Sequence, residues 1–328
     1  MKTLVFNMLT IAATFAAMTA CTSESDPVDE VNPHSKEKVE IKLKTGVIDV
    51  QTKASPIGAT PTEFADGTNI QLIRWDYTEM LSELTWATDT YTAVKATASG
   101  TNITFTTPQY YKEDGQKTSF IGFFPALAEG SVTLSNGTVQ FTGLDGKTDI
   151  LSAGLIDAGS QTSVKTNPKI EFKHMLSQIK FKLSGTSAAN EVFGNIKKIS
   201  LVDVPQDMNM KLGKDAATTT IKISDNANKS DMIIVEAENQ TDGDAITSLN
   251  GDYILLTPPE SGSSTSGLQI KIETTKRDPI IVDIDNFGTT GTGSGTANEV
   301  TLTFKDKISV TTAITDWTEG QDKNYGIE

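Results

Sequence analysis

The sequence predicts an all-β protein built as two tandem antiparallel β-sandwiches that follow a secretion leader. Three observations predict this class: many short stretches alternate apolar and polar residues, turn-forming residues separate them, and the composition is rich in Thr, Ser and Gly with only 7% aromatic residues. Alternation with period two is typical of half-buried strands. A chain of 328 residues is long enough for two such domains after the leader is removed.

Residues 1–20 have the architecture of a signal peptide. Lys2 supplies a positive start, residues 4–17 are apolar, and small or neutral residues precede Cys21, the only cysteine. The block "MTAC" resembles a bacterial lipobox, so we expect Cys21 to carry a lipid. A cleaved secretion signal that leaves a free thiol is the alternative. Residues 21–38 are charged, contain proline and lack periodicity, which predicts a tether.

The first predicted sandwich covers residues 39–172. Its opening run "VEIKLK" alternates apolar residues on one face, namely Val39, Ile41 and Leu43. After Gly46 the run "VIDVQT" resumes with the opposite parity, which places Ile48 and Val50 on that face. This shift predicts a β-bulge or a strand break at Thr45 and Gly46.

Further strand patterns follow in order. The clearest is the hairpin "SVTLSNGTVQF", because Asn136 and Gly137 suit a tight turn with positive φ. Two stretches compete as helices, "YTEMLSELTW" and "HMLSQIKFKL". In the second, period-two spacing of Ile179, Phe181 and Leu183 favours a strand.

The second predicted sandwich covers residues 173–328. A similar number of strand patterns runs from "IKKISLVDV" to "KISVTTAITDW", and the two sets join near Lys173 to Ser184. The segments "LTPPESGSSTSG" and "GTTGTGSGTAN" read as long hairpin loops.

Charge and motif content argue against several functional classes. Lys and Arg total 28 against 42 Asp and Glu, a formal charge of −14, so we expect no nucleic-acid partner. The two histidines, His34 and His174, lack a nucleophile motif beside them and predict no catalytic site. The glycine-rich loop lacks a nucleotide-binding spacing, and the Asp and Asn clusters do not match a calcium loop. We therefore expect no enzyme activity, cofactor or metal.

A small group of aromatic residues supports one alternative function. If exposed, these side chains could stack on sugar rings, whereas packing in or beside the core is the usual role of aromatics in strands. The residues are Trp75, Trp86, Tyr110 and Tyr111.

Several motifs in fixed order resemble the Bacteroidetes fimbrillin family, the FimA-like and Mfa-like subunits of type V pili. They are the lipobox leader, "VQTKAS", "TEFADGTNIQL", "FIGFFP", "DILSAG", "FKHMLSQIKFKLSG" and "AITDWTEG", and they extend from Cys21 to about Gly320. The resemblance implies two transthyretin-like domains, export as an outer-membrane lipoprotein, and polymerisation with other fimbrial subunits. It also implies that a trypsin-like protease removes the first strand and that a strand of the next subunit replaces it.

The chain departs from the family pattern at the cleavage site. The best-known cleavage in the family follows an arginine, but this loop offers Lys53 before Ala54, and the only arginines are Arg74 and Arg277. Arg74 lies in a predicted strand, which is a poor substrate. Either a protease that accepts lysine cuts at Lys53, or the subunit keeps its first strand, as an anchor subunit would.

The strand that would be removed contains the five residues expected to plug the first sandwich: Val39, Ile41, Leu43, Ile48 and Val50. The expected donor is the C-terminal run in which Ile308, Val310, Thr312 and Ile314 alternate, although these residues could instead close the second sandwich. The leading hypothesis is a structural subunit of a surface pilus that supports adhesion. The alternative is a monomeric surface lipoprotein that binds glycans.

Overall fold

Strands make up nearly all of the regular secondary structure. The computed structural model describes residues 38–48, 63–78, 84–87, 90–127, 131–246, 251–258, 268–284, 294–305 and 307–315. All of these belong to one unit of the chain, Lys38–Glu328. The predicted all-β class is confirmed.

The first ten strands lie in the N-terminal half of the described chain. They are β1 Lys44–Val47, β2 Phe64–Tyr77, β3 Tyr91–Gly100, β4 Asn102–Phe105, β5 Lys117–Phe124, β6 Ser131–Ser135, β7 Thr138–Thr142, β8 Leu151–Ser160, β9 Ser163–Val164 and β10 Lys169–His174.

Ten further strands and a short helix follow. They are β11 Ser177–Gly185, α1 Ser187–Phe193, β12 Ile196–Pro205, β13 Met208–Lys211, β14 Thr220–Ile223, β15 Lys229–Glu236, β16 Tyr253–Leu256, β17 Leu268–Thr274, β18 Ile280–Ile284, β19 Ala297–Phe304 and β20 Ile308–Thr315.

Seven strands of the N-terminal half form a closed ring. Their hydrogen-bonded order is β10-β1-β4-β3-β2-β5-β8, and β8 pairs with β10 to complete the circuit. All seven strands contribute to one apolar cluster inside the ring, among them Val47, Leu72, Phe120 and Phe172. Closure leaves no free edge among these seven strands, which protects their backbone groups from pairing with other chains.

The C-terminal half contains two four-stranded sheets, ordered β16-β11-β19-β20 and β15-β12-β17-β18. Alternate residues of both sheets meet in one buried apolar cluster that includes Phe181, Ile199, Ile270 and Val300. The two sheets therefore share a core as the layers of a sandwich do.

A fourth sheet combines strands from both halves in the order β14-β13-β7-β6. The pairing of β7 with β13 crosses the predicted boundary between residues 172 and 173, as does a third apolar cluster that holds Trp75 and Met210. The carboxylate of Asp207 accepts hydrogen bonds from the backbone N–H groups of Asn228 and Gly143, at 2.8 and 2.9 Å, and these bonds lower its pKa. The division into two domains at this boundary remains a prediction.

The secondary structure differs from the sequence prediction in strand direction and in one helix. Pairing is not uniformly antiparallel, since β1 runs parallel to β10 and β11 runs parallel to β19. Long connections join these partners, and only long connections allow parallel neighbours. Helix α1 was not anticipated, because only Ala189 and Phe193 are buried in its seven residues and one pair is too short to establish a helical period.

The two stretches that competed as helices in the sequence both contain residues of strands. "HMLSQIKFKL" contributes most of its residues to β11, as its period-two spacing favoured. The other candidate begins at Tyr77, the last residue of β2, and residues 79–83 lie outside the described part of the chain.

The predicted hairpin turn between β6 and β7 is present, with φ of 46° at Asn136 and 70° at Gly137. We expect Gly137→Ala to destabilise the protein by about 2–4 kcal/mol, because a Cβ there would be strained and would overlap the Trp86 ring. Urea unfolding followed by circular dichroism measures this loss. Gly143→Ala is the matched control, since its φ is 69° and no atom lies within 4 Å of the added Cβ. Equal losses for the two variants would show that the contact with Trp86 carries no cost.

Candidate functional site

The candidate site is the slot that holds residues 39–48, which we call the first-strand segment. On one side, its backbone pairs with residues 101–111: the Ile41 N–H donates to the Gln109 carbonyl at 2.8 Å and the Thr45 N–H donates to the Thr101 carbonyl at 2.9 Å. On the other side, β1 runs parallel to β10. Within the described residues, β4 and β10 do not pair with each other, and this segment lies between them.

The inner face of the segment is apolar and buried. Ile41, Leu43 and Val47 are 1%, 3% and 4% exposed and belong to the cluster inside the ring, and Val39 packs against that cluster while partly buried. Each such side chain stabilises the ring by roughly 1.5–3 kcal/mol. The segment is thus both a ladder strand and part of the core.

The predicted shift of parity does not occur, and Ile48 does not face inward. Alternation continues through Thr45, which is fully buried, to Val47, while Ile48 is 38% exposed. The Thr45 hydroxyl donates a hydrogen bond to the Ile170 carbonyl at 3.2 Å, which removes the cost of burying it. Val50 lies outside the described residues.

The modification sites predicted from the sequence lie outside the described residues. These are Cys21 for the lipid, and Lys53 and Ala54 for proteolytic cleavage. They remain predictions.

The C-terminal strand occupies a place in its own chain. β20 pairs with β19 along all eight of its residues, and Ile308 and Val310 pack against the C-terminal core. The residues expected to act as donor therefore pair within a C-terminal sheet of their own chain in this structure. The side chain of Ile314 lies outside the described residues.

The aromatic residues considered for sugar stacking are mostly buried. Trp75, Trp86 and Tyr111 are 2%, 8% and 3% exposed, whereas Tyr110 is 41% exposed. Trp75 and Trp86 pack edge to face with ring centroids 4.9 Å apart. Stacking on a glycan requires an open ring face, so three of the four residues lack the property that motivated the glycan hypothesis.

His174 is buried and its Nδ1 bonds to the carboxylate of Asp149, which also accepts the Ile150 N–H at 2.8 Å. A histidine held in this way ties β10 to the start of β8, which is a structural role. His34 lies outside the described residues. In the described part of the chain, no group of three or more His, Cys, Asp or Glu residues is arranged to hold a metal ion, and no helix has the length and apolar character needed to cross a membrane.

Sequence reasoning missed the residues that support one side of the slot. Arg74 is 8% exposed, forms an ion pair with Asp76 at 2.9 Å, and donates to the Tyr110 carbonyl at 2.7 Å. Burial raises the pKa of the Tyr111 phenol, and the negative charge of Asp157 acts in the same direction. The only signal in the sequence was a pair of charged residues, Arg74 and Asp76, at alternate positions near the end of β2.

Comparison with known proteins identifies relatives across most of the chain. A family model described as fimbrillin-like matches residues 52–317. No curated protein sequence matches.

Several solved structures are similar. A proposed cell adhesion protein from Bacteroides uniformis is 16% identical with a TM-score of 0.54, covering 85% of this chain and 99% of the other. One from Bacteroides ovatus is 15% identical with a TM-score of 0.55, covering 87% and 99%. A fimbrial protein from Bacteroides vulgatus is 17% identical with a TM-score of 0.43, covering 85% and 100%. The first two likenesses show a shared fold.

Proposed function

The chain belongs to the fimbrillin-like family, and from this we propose that it is a structural subunit of a type V surface pilus that supports adhesion. In this proposal the protein is exported as a lipoprotein, with the lipid on Cys21 holding it to the outer membrane. A trypsin-like protease then cuts near Lys53 and Ala54, and other fimbrial subunits assemble on the shortened chain by donor-strand exchange.

One observation carries the proposal: the first-strand segment lies between β4 and β10 and closes the ring. Its loss would leave two unpaired backbone edges and uncover the apolar cluster under Ile41, Leu43 and Val47. An extended strand from another chain restores both the backbone hydrogen bonds and the apolar burial, which is β-augmentation. Such a contact is heterologous, so it propagates as a filament.

The slot also specifies the chemistry of its donor. A donor must run parallel to β10 and antiparallel to β4, and it must present apolar side chains at alternate positions with a small hydroxyl at the Thr45 position. The run "IKLKTGV" at residues 41–47 has this pattern, and "ISVTTAI" at residues 308–314 repeats it with threonine at the same position. The C-terminal strand of another copy, released from its own β19, thus fits the slot in a defined register.

The state of the mature N-terminus tests export and processing together. We expect mass spectrometry of the native surface protein to find either a lipid on Cys21, with the first-strand segment retained, or an N-terminus at Ala54. The first form is suited to an anchor subunit and the second to a stalk or tip. Surface extracts should also contain heat-sensitive multimers. A processed protein with a free thiol at Cys21, present only as a monomer, would contradict the proposal.

A further inference from the structure

Arg74 is a buried cation at the end of the ring where the first-strand segment begins. Its Nε and Nη2 donate to the Asp76 carboxylate at 2.9–3.1 Å. Asp76 also accepts the Thr118 hydroxyl at 2.7 Å. The charge is therefore paired and the guanidinium plane is held in one orientation.

The other donors of Arg74 reach residues 107–111, which we call the receptor segment. Nη1 donates to the Gln109 side-chain oxygen at 3.0 Å, and Nη2 donates to the Tyr110 carbonyl at 2.7 Å. The Tyr111 hydroxyl adds a third tie, to the Ala158 carbonyl at 2.6 Å. The receptor segment lies outside the named strands and makes one isolated bridge, between Tyr110 and Glu40. The hydrogen bonds of Arg74 and Tyr111 therefore fix its backbone, as continuous strand pairing would in a sheet.

The same three residues pair with the first-strand segment. The Gln109 carbonyl accepts the Ile41 N–H at 2.8 Å, and the Tyr111 N–H donates to the Val39 carbonyl at 3.0 Å. The Tyr110 carbonyl, between them, points the other way, to Arg74. Arg74 therefore holds the receptor segment from the side opposite to the first-strand segment.

We infer that Arg74 is a positioning residue for strand exchange, which keeps the receptor segment in pairing geometry while the slot is empty. This inference rests on the proposed function. When the first-strand segment leaves, the receptor segment loses its two hydrogen bonds to that segment but keeps its ties to the ring. A donor then meets a preformed edge and loses less conformational entropy on binding. Lysine cannot replace arginine here, because a single ammonium does not span three partners in one plane.

The test measures how a synthetic first strand binds. The full chain carries a site-specific protease sequence in place of residues 52–58, is cut there, and exchanges its own strand for a labelled peptide of residues 38–48. Three peptides are compared: one with all amides, one with an ester that removes the Ile41 N–H, and one with an ester that removes the Thr45 N–H. The second ester is the matched control, because the Thr45 N–H bonds to Thr101, remote from Arg74.

In the wild-type protein we expect each ester to weaken peptide binding about fivefold. In Arg74→Lys, we expect the all-amide peptide to bind at least about fivefold more weakly than it binds to the wild type. The Ile41 ester should then weaken binding by less than about a further twofold. The Thr45 ester should weaken binding as much as it does in the wild type. Gln109→Leu removes the hydrogen bond from Arg74 and the Gln109 bond to the Thr107 carbonyl, while the Arg74–Asp76 pair stays in place. This variant should show the same pattern in milder form. Arg277→Lys should match the wild type.

The outcomes separate the two ideas. If the Ile41 ester costs as much in Arg74→Lys and Gln109→Leu as in the wild type, the positioning role of Arg74 is wrong while strand exchange stands. If the cut wild-type protein takes up no peptide at all, the proposed function fails, and the inference fails with it. If Arg74→Lys loses its fold in general, the affinity losses caused by the two esters should shrink equally. The result for Gln109→Leu then tests the positioning role of Arg74.

Discussion

A chain that begins at Ala54 is expected to assemble into multimers, whereas a chain that begins at Cys21→Ser stays monomeric. Deleting the first-strand segment removes Ile41, Leu43 and Val47 from the core, a loss of roughly 5–9 kcal/mol, which is comparable to the whole stability of a typical domain. We therefore expect the opened ring to recover its stability by taking a strand from another copy. Size-exclusion chromatography with light scattering, followed by electron microscopy, measures the assembly.

The control for this experiment removes the expected donor. A chain that begins at Ala54 and ends at Lys305 lacks β20, so it should neither assemble nor regain stability. Donor-strand exchange is wrong for this protein if the chain from Ala54 remains a stable monomer and deletion of β20 changes nothing.

The second large effect is expected for Leu43→Asp. Leu43 is 3% exposed inside the ring, so the substitution removes a packed side chain and places a carboxylate in an apolar cluster. We expect a loss of at least about 4 kcal/mol in the free energy of unfolding. Because the segment would detach, trypsin should also cut at Lys42 and Lys44 in the intact chain.

Lys42→Asp is the matched control, because Lys42 is the adjacent residue and its side chain is exposed. This variant should change stability by less than about 0.5 kcal/mol. Chemical denaturation and limited trypsin digestion of both variants measure the difference. Similar stability of the two variants would mean that the first-strand segment does not plug the ring.

The alternation of the first strand was readable from the sequence, but its continuation was not. An inward face is predicted by the alternate spacing of Val39, Ile41 and Leu43, because period two is a local property of the strand backbone. Thr45 reads as polar, so the pattern suggested a slip that turned Ile48 inward. In the structure the alternation continues through Thr45, because its hydroxyl donates a hydrogen bond to the carbonyl of Ile170, 125 residues away in the sequence.

Arg74 shows the same limit for the candidate site. In the sequence it is one of two arginines and only a poor cleavage site. Its partners Gln109 and Tyr110 lie 35 and 36 residues further along the chain, and no local pattern joins them to it. The contact exists only because the fold brings the receptor segment next to the end of β2.

The sequence by itself determined the strands, the Asn136–Gly137 turn and the family, since each depends on residue types at short spacing. The tertiary structure alone decided which strands are neighbours. β1 pairs with β10 in parallel and with β4 in antiparallel orientation, and this placement makes the segment the link that closes the ring. Strand neighbours far apart in the chain are selected by the burial of a shared core, and the energy of that burial depends on all seven strands together.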